Sequence, residues 1–267
     1  MHPVLQAHLD RQHPAGETLQ RAFVYLMGSV VDQLASKELH EQRGLFALHG
    51  GSFHYALHLA HELGMDKDVA ALTQSLGTYA LTSRDYAGAE QLYKSFSDHH
   101  RQRKYHIGEA NAFHHLGVIA QEQHNVTAAE KWFRKSLVIS EKQGNIQGMA
   151  ANYYHLGTIA QGQRNFTAAE KWFRRSLAVS EKQGNEHGAA IIFYHLGVIA
   201  QKQQNFATAE KWYKKSASFI SGLTLVHKVI HNVATNCLVQ LLWRQIISSQ
   251  IEPRSPYVSP HTSSVRP

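Results

Sequence analysis

Residues 116–133 read LGVIAQEQHNVTAAEKWF, and forty positions later residues 156–173 read LGTIAQGQRNFTAAEKWF. A third copy, LGVIAQKQQNFATAEKWY, occupies 196–213. Over a full period, 111–150 and 151–190 agree at 26 of 40 positions, and 191–216 continues in the same register. Self-similarity at a fixed period of this size marks a stacked-repeat architecture. A weaker copy, LGTYALTSRDYAGAEQLY at 76–93, keeps Gly77, Ala89 and Tyr93 where the next copy has Gly117, Ala129 and Phe133. Earlier still, ALHLAHELGM at 56–65 falls in the register of SLVISEKQGN at 136–145. Only this second half of the earliest unit is legible.

Each unit predicts two helices. Phe113, Leu116, Gly117 and Ala120 follow the i, i+3, i+4, i+7 stripe of one amphipathic helix. Ala129, Trp132, Phe133, Ser136, Leu137 and Ser140 form the stripe of the second. A short turn at Asn125 (Asn165, Asn205 and Asp85 in the other copies) separates them. The TAAE stretches at 127–130 and 167–170 read as capping boxes, in which Thr accepts a backbone N–H and Glu reaches back. The copies beginning at Ala87 and Ala207 lack the Thr and are expected to fray more. Gly144 and Gly184 suit left-handed C-terminal caps. Gly77, Gly117, Gly157 and Gly197 each cost about 1 kcal/mol against alanine inside a helix. They therefore imply a close approach, expected against Ala89, Ala129, Ala169 and Ala209. Such a helix pair cannot bury its apolar face alone, so the units must stack.

The order Leu-Gly, turn Asn, Ala, aromatic in HHLGVIAQEQHNVTAAEKWF resembles the tetratricopeptide repeat. The 40-residue period resembles the longer variant found in peptide-binding adaptors and bacterial signalling proteins. The resemblance covers 71–216, extends back to about residue 40, and leaves out 1–20 and 221–267. Two features depart from the family pattern. The helix-breaking Pro of the shorter repeat is missing, and the usual Asn two before the Gly is His in the three clear copies and Ser75 in the weak one. The resemblance implies an all-α fold, a right-handed superhelical solenoid of stacked antiparallel helix pairs. The expected organisation is a flexible tail over 1–20, a helical N-terminal cap or worn repeat over 21–64, and the array over 65–220. The array's units lie near 71–110, 111–150, 151–190 and 191–220, followed by an apolar capping helix over 221–250 and a disordered tail over 251–267.

In that family the first helices line a concave groove. By resemblance, the groove here would carry Asn111, His114, His115, Val118 and Gln121 from one unit. Tyr154, His155, Thr158 and Gln161 would come from the next, and Tyr194, His195, Val198 and Gln201 from the third. Four differences between the first two clear copies fall on these lines: Asn111/Ala151, His114/Tyr154, Val118/Thr158 and Glu122/Gly162. A common scaffold with a tuned groove would show this distribution, and drift at exposed sites would show much the same. The lining is aromatic and amide-rich, without a Lys/Arg clamp for a carboxylate. The expected ligand is an extended peptide or a partner helix, held by hydrogen bonds from His and Gln with Tyr stacking. Gln and His can each offer a donor or an acceptor.

Composition narrows the alternatives. The lone Cys237 excludes an internal disulfide or a multi-cysteine zinc site and suits a reducing cytosol. The start, MHPVLQAHLDRQHP, has no apolar core of a secretory signal. The most apolar segment, 219–247, is broken by His227, Lys228, His231, Asn232 and Arg244, so no membrane span is expected. Of the 20 histidines, His115, His155 and His195 would sit on successive helices roughly 8–10 Å apart, too far for shared zinc ligation at about 2.0–2.1 Å. His54, His58 and His61, like His227 and His231, read as solvated helix faces. No phosphate loop, HExxH motif or nucleophile with a base partner is present. HGGSF at 49–53 superficially suggests an oxyanion loop but falls where the earliest repeat should turn.

These readings predict a cytoplasmic, non-catalytic scaffold or adaptor without metal or cofactor, binding a protein or peptide in its groove. One alternative is a regulatory sensor segment of a larger bacterial signalling protein of the NTPase type. Another is nucleic-acid binding through a convex basic ridge of Lys131, Arg134, Lys135 and their equivalents, disfavoured because Glu130, Glu170 and Glu210 partly neutralise it. Trp132, Trp172 and Trp212 lie on the apolar stripe and are expected to pack between repeats rather than stack on bases. The apolar segment 219–247 could also serve self-association.

Overall fold

A computed structural model describes residues 16–35, 37 and 39–219. Among them are ten α-helices and no strand: α1 (Glu17–Ala35), α2 (Leu39–Glu62), α3 (Asp66–Thr82), α4 (Tyr86–Gln102), α5 (His106–Glu122), α6 (Val126–Gln143), α7 (Ile146–Gly162), α8 (Phe166–Lys182), α9 (Glu186–Lys202) and α10 (Phe206–Phe219). The readings of 1–15, of 221–250 and of 251–267 lie outside the described residues. The helices fall into two compact units, one ending at Val179 and the other beginning at Ser180. In the first, each helix from α1 to α6 packs on the next, and α1 also meets α3, as α5 meets α7. In the second, α9 packs on α10. From α3 onwards the joints are two or three residues long, so within each unit consecutive helices run antiparallel. The architecture is all-α, built of stacked antiparallel helix pairs.

The joints explain where the helices stop. Residues at positive φ recur every twentieth position: Gly64, Arg84, Lys104, His124, Gly144, Arg164, Gly184 and Gln204. At the joint after α5, His124 N–H donates to the Gln121 carbonyl (2.9 Å) and Asn125 N–H to the Ala120 carbonyl (2.8 Å). That pair is a Schellman motif. The same Asn125 then caps α6, its side-chain oxygen accepting from Ala128 N–H at 3.1 Å. Asp85, Asn145, Asn165, Asn185 and Asn205 repeat the arrangement on the amide three residues on. The capping box expected at Thr127 and Thr167 is therefore corrected. Both lie inside their helices, and Glu130 and Glu170 pair with Arg134 and Arg174 instead (2.7 Å each). The copies lacking Thr keep their caps on Asp85 and Asn205, so the expectation that they fray loses its basis.

The glycine at the centre of each first helix makes room for a ring. A Cβ at Gly117 would meet Phe133 ring carbons at 2.7 Å, and one at Gly157 would meet Phe173 at 2.7 Å. Gly77 faces Tyr93 and Gly197 faces Tyr213 in the same way, each at 2.6 Å. The expected alanine partner gives way to the aromatic one turn further on. These rings are almost wholly buried, with Phe133 and Phe173 at 0% exposure, each burial contributing about 1.5–3 kcal/mol. A second, polar contact recurs at the same period. Ser136, Ser176 and Ser216 donate their hydroxyls to the carbonyls of Ala110, Ala150 and Ala190 (2.7, 2.8 and 2.7 Å). HGGSF at 49–53 lies inside α2 rather than at a turn.

Candidate partner-binding face

The line of residues picked out on the first helices forms a half-buried face in each unit. On α5, His114, His115, Val118 and Gln121 are half-buried, while Asn111 is exposed. On α7, Tyr154, His155, Thr158 and Gln161 are half-buried. The two helices bring several of these together. The His114 and His155 rings lie edge to face at 5.1 Å, and His155 Nδ1 is 3.1 Å from Gln121 Oε1. Tyr154 lies edge-on to His155 at 5.3 Å, and Val118 packs into the cluster around Phe133. Thr158 turns its hydroxyl back to the His155 carbonyl (2.8 Å). In the second unit, Tyr194 lies 5.6 Å from His195 and 5.9 Å from Tyr213, whose hydroxyl donates to Gln201 Oε1 (2.8 Å). Val198 packs beside Tyr213.

The histidines two before the glycines are packing groups as much as lining groups. His115 stacks flat on Tyr93 (4.4 Å, 13°) and His155 flat on Phe133 (4.5 Å, 7°). Each ring thus lies on an aromatic that a glycine has admitted. Burial pushes both down to about 3, with the neighbouring histidines adding to the effect, and burial holds His195 at about 4. Burial also lowers His114, against a hydrogen bond to Asn152 that raises it. At neutral pH these histidines are uncharged.

Beneath it lies Asn152, 0% exposed, which sequence reasoning missed. Its Nδ2 donates to Ser136 Oγ (2.8 Å) and the Gly148 carbonyl (2.7 Å), and its Oδ1 lies 3.1 Å from His114 Nδ1. It occurs once, in register with Ala112 and Ile192, so the period gave no signal for it. The repeated Ser136, Ser176 and Ser216 did give one: an invariant small polar residue in an apolar stripe.

A different constellation occupies the second helices near the start of the array. A cavity of about 800 Å³ lies between α2 and α4, lined in part by His58, His61, Glu62, Lys94, Asp98 and His99. His61 Nδ1 meets His99 Nδ1 at 2.9 Å, His99 Nε2 meets Asp66 Oδ1 at 2.9 Å, and Arg103 pairs with the same carboxylate at 3.0 Å. Burial, with its histidine neighbours, brings His61 down to about 4. His54 and His58 are exposed, but His61 belongs to this network and not to a solvated face. Among the described residues no three His, Cys, Asp or Glu side chains converge as metal ligands. No described helix is long and apolar enough to cross a membrane.

Two of the three basic residues in each second-helix set are engaged in regular pairs. Arg134, Arg174 and Lys214 bind the glutamate four residues earlier at 2.7–2.8 Å. Lys135, Arg175 and Lys215 lie 4.8, 5.1 and 5.1 Å from the centroids of Trp132, Trp172 and Trp212. Those half-buried tryptophans stack in turn on Phe113, Tyr153 and Phe193. The tryptophan faces are thus taken up by packing and by cations of the chain itself.

Two models of the tetratricopeptide repeat match the chain, one over residues 110–142 and one over 148–219. No curated protein matches it. Among solved structures, the apo form of RapI aligns with a TM-score of 0.58 at 12% identity, covering 89% of each chain. BtubC (BKLC) from P. vanneervenii aligns with a TM-score of 0.54 at 14% identity, over 91% of this chain and 99% of that one. The Cut9–Hcn1 hetero-tetramer of APC/C gives 0.51 at 15% identity, over 88% of this chain and 45% of that one. At these identities the likeness is one of fold. Repeat period, glycine–aromatic closure, helix-pair packing and family match coincide over these residues, and 110–142 and 148–219 are tetratricopeptide repeats.

Proposed function

We propose that the chain is a non-catalytic adaptor whose first-helix face, formed in the first unit by α5 and α7, holds an extended segment of a protein partner. A tetratricopeptide-repeat array is a protein-interaction scaffold; the finer assignment is to this face and this kind of ligand. The observation that carries it is the ordered, uncharged row of His114, His155, Gln121 and Tyr154, half-buried and mutually oriented. A peptide leaving water needs partners for its main-chain groups, and imidazoles and amides supply them without the desolvation cost of a charge. On α9 the second unit repeats the composition with Tyr194, His195 and Gln201.

The test compares partners recovered on the wild-type chain, on Thr158→Arg, and on Lys131→Glu/Lys171→Glu/Lys211→Glu. Thr158→Arg crowds the face without removing a core side chain and should abolish recovery. The charge-reversed chain should behave like wild type. Partners indifferent to Thr158→Arg would sink the face assignment. Nucleic acid retained at low salt and lost on charge reversal would support the ridge in its place.

A further inference from the structure

The hydrogen-bond polarity of this face is set from beneath. Ser136 spends its hydroxyl proton on the Ala110 carbonyl, so its oxygen is left to accept. Asn152 Nδ2 fills that role and gives its other proton to the Gly148 carbonyl. This arrangement orients the carboxamide by chemistry: exchanging its oxygen and nitrogen would set two carbonyl-type acceptors against each other at Gly148. Asn152 Oδ1 is therefore the acceptor that meets His114 Nδ1, and His114 donates. A neutral imidazole has one N–H, so His114 Nε2 remains as a lone-pair acceptor. His155 is in the same state, its Nδ1 donating to Gln121 Oε1 at 3.1 Å. Both rings are half-buried, their centroids 5.1 Å apart.

We propose that this face selects a partner segment bringing N–H donors, from main-chain amides or carboxamide side chains, and rejects one bringing a carboxylate. The inference rests on the reading of the face as the partner site. A carboxylate placed against the two Nε2 atoms sets lone pairs against lone pairs. None of the face residues is a lysine or arginine that could absorb its charge. A main-chain or carboxamide N–H completes the chain of donors that begins at Ser136.

Long-range proton–nitrogen correlation spectra of the full chain with ¹⁵N-labelled histidine, at neutral pH, read the tautomers without any ligand. His114 and His155 should both appear as the Nδ1–H form, and finding either mainly as Nε2–H overturns the proposal. Gln121→Ala removes a half-buried side chain and should shift His155 towards Nε2–H while leaving His114 unchanged. An unmoved His155 counts against the relay. The binding probe is a displayed library of random peptides, selected on the wild-type chain and sorted by loss of binding to Thr158→Arg. Face-dependent peptides should weaken by at least about tenfold when a contacting Asn or Gln becomes Asp or Glu, and by less in Gln121→Ala. Face-dependent peptides that tolerate or prefer the acid overturn the proposal while leaving the face as a binding site. If every selected peptide ignores Thr158→Arg, the reading of the face itself fails.

Discussion

The hairpin α3–α4 and the hairpin α5–α6 close on the same steric device, a helix glycine receiving the ring of Tyr93 in one and of Phe133 in the other. They part company at the polar positions. Where α6 ties Ser136 to the Ala110 carbonyl, α4 carries Phe96. Where α6 has Ser140, α4 has His100, 2% exposed and without a hydrogen-bond partner for either ring nitrogen. The hydroxyls of Thr73, Ser83 and Tyr93 are also buried without partners, against that of Ser140 alone in α5–α6. Each buried polar group left unpaired costs about 1–3 kcal/mol. The weaker copy, α3–α4, therefore keeps the shape code of the repeat and lacks its polar pins. Stability along the first unit should be unequal, with α3–α4 opening at lower free energy than the hairpin that follows.

The largest effect should come from the shared device itself. Phe133→Ala empties a site of 0% exposure and should cost about 3–5 kcal/mol in urea unfolding. Acid comes next. Burial holds His115 and His155 near 3 when folded, well below the ordinary histidine value of 6.5, so between those values the unfolded chain binds more protons. Their contribution is complete above pH 6.5 and is lost as pH falls towards 3. Lowering the pH from about 7.5 to about 5.5 should remove about 1.4 kcal/mol for each of them, read as a falling Tm. His155→Phe should flatten that slope.

Smaller changes separate the two codes. Gly77→Ala and Gly117→Ala should each cost about 1–3 kcal/mol through overpacking, and unequal costs would break the claim that the steric device is common to both hairpins. Ser136→Ala strands one Asn152 proton and takes the second donor from the Ala110 carbonyl, and should cost about 1–2 kcal/mol. Tyr93→Phe, the smallest change, removes a hydroxyl that has no partner and should be neutral or stabilise by less than about 1 kcal/mol. Hydrogen exchange in α3 and α4 should then slow or stay as it was. Faster exchange would mean that the Tyr93 hydroxyl has a partner after all.

Helix pairs and stacking were legible because both follow from spacing: sixteen residues separate Gly77 from Tyr93 and Gly117 from Phe133. Which residue fills the glycine was not. Ala129 and Phe133 share a helix face one turn apart, and only the reach of the ring decides between them. Thr127 and Asn125 are both good caps in isolation, and the choice falls to Asn125 because the Schellman turn before it ends there. Arg84, Lys104, His124, Arg164 and Gln204 carry no sign of their left-handed backbone. In α2 the adjacent Gly50 and Gly51 read as a turn yet lie within a helix, with nothing within 4 Å of where a Cβ would stand; no packing reason accounts for them. The His, Tyr and Gln line of the candidate face follows the period and could be read. Asn152 interrupts the period once. The His61–His99–Asp66 network spans contacts of 38 and 33 residues between the less regular early helices.

The joints have a consequence for how such a chain can grow. From His124 onwards each joint turns on two residues, a left-handed one that ends a helix and an Asn that begins the next. A segment copied from Asn145 through Gly184 would meet its neighbours through the same Gly–Asn pair at both ends, since Gly144 precedes it and Asn185 follows it. Neither splice needs a new linker or a new cap. Length is in this sense quantised, and a duplication of one period disturbs no local backbone chemistry. The 26 identities between 111–150 and 151–190 are what a young copy made under that rule would leave behind.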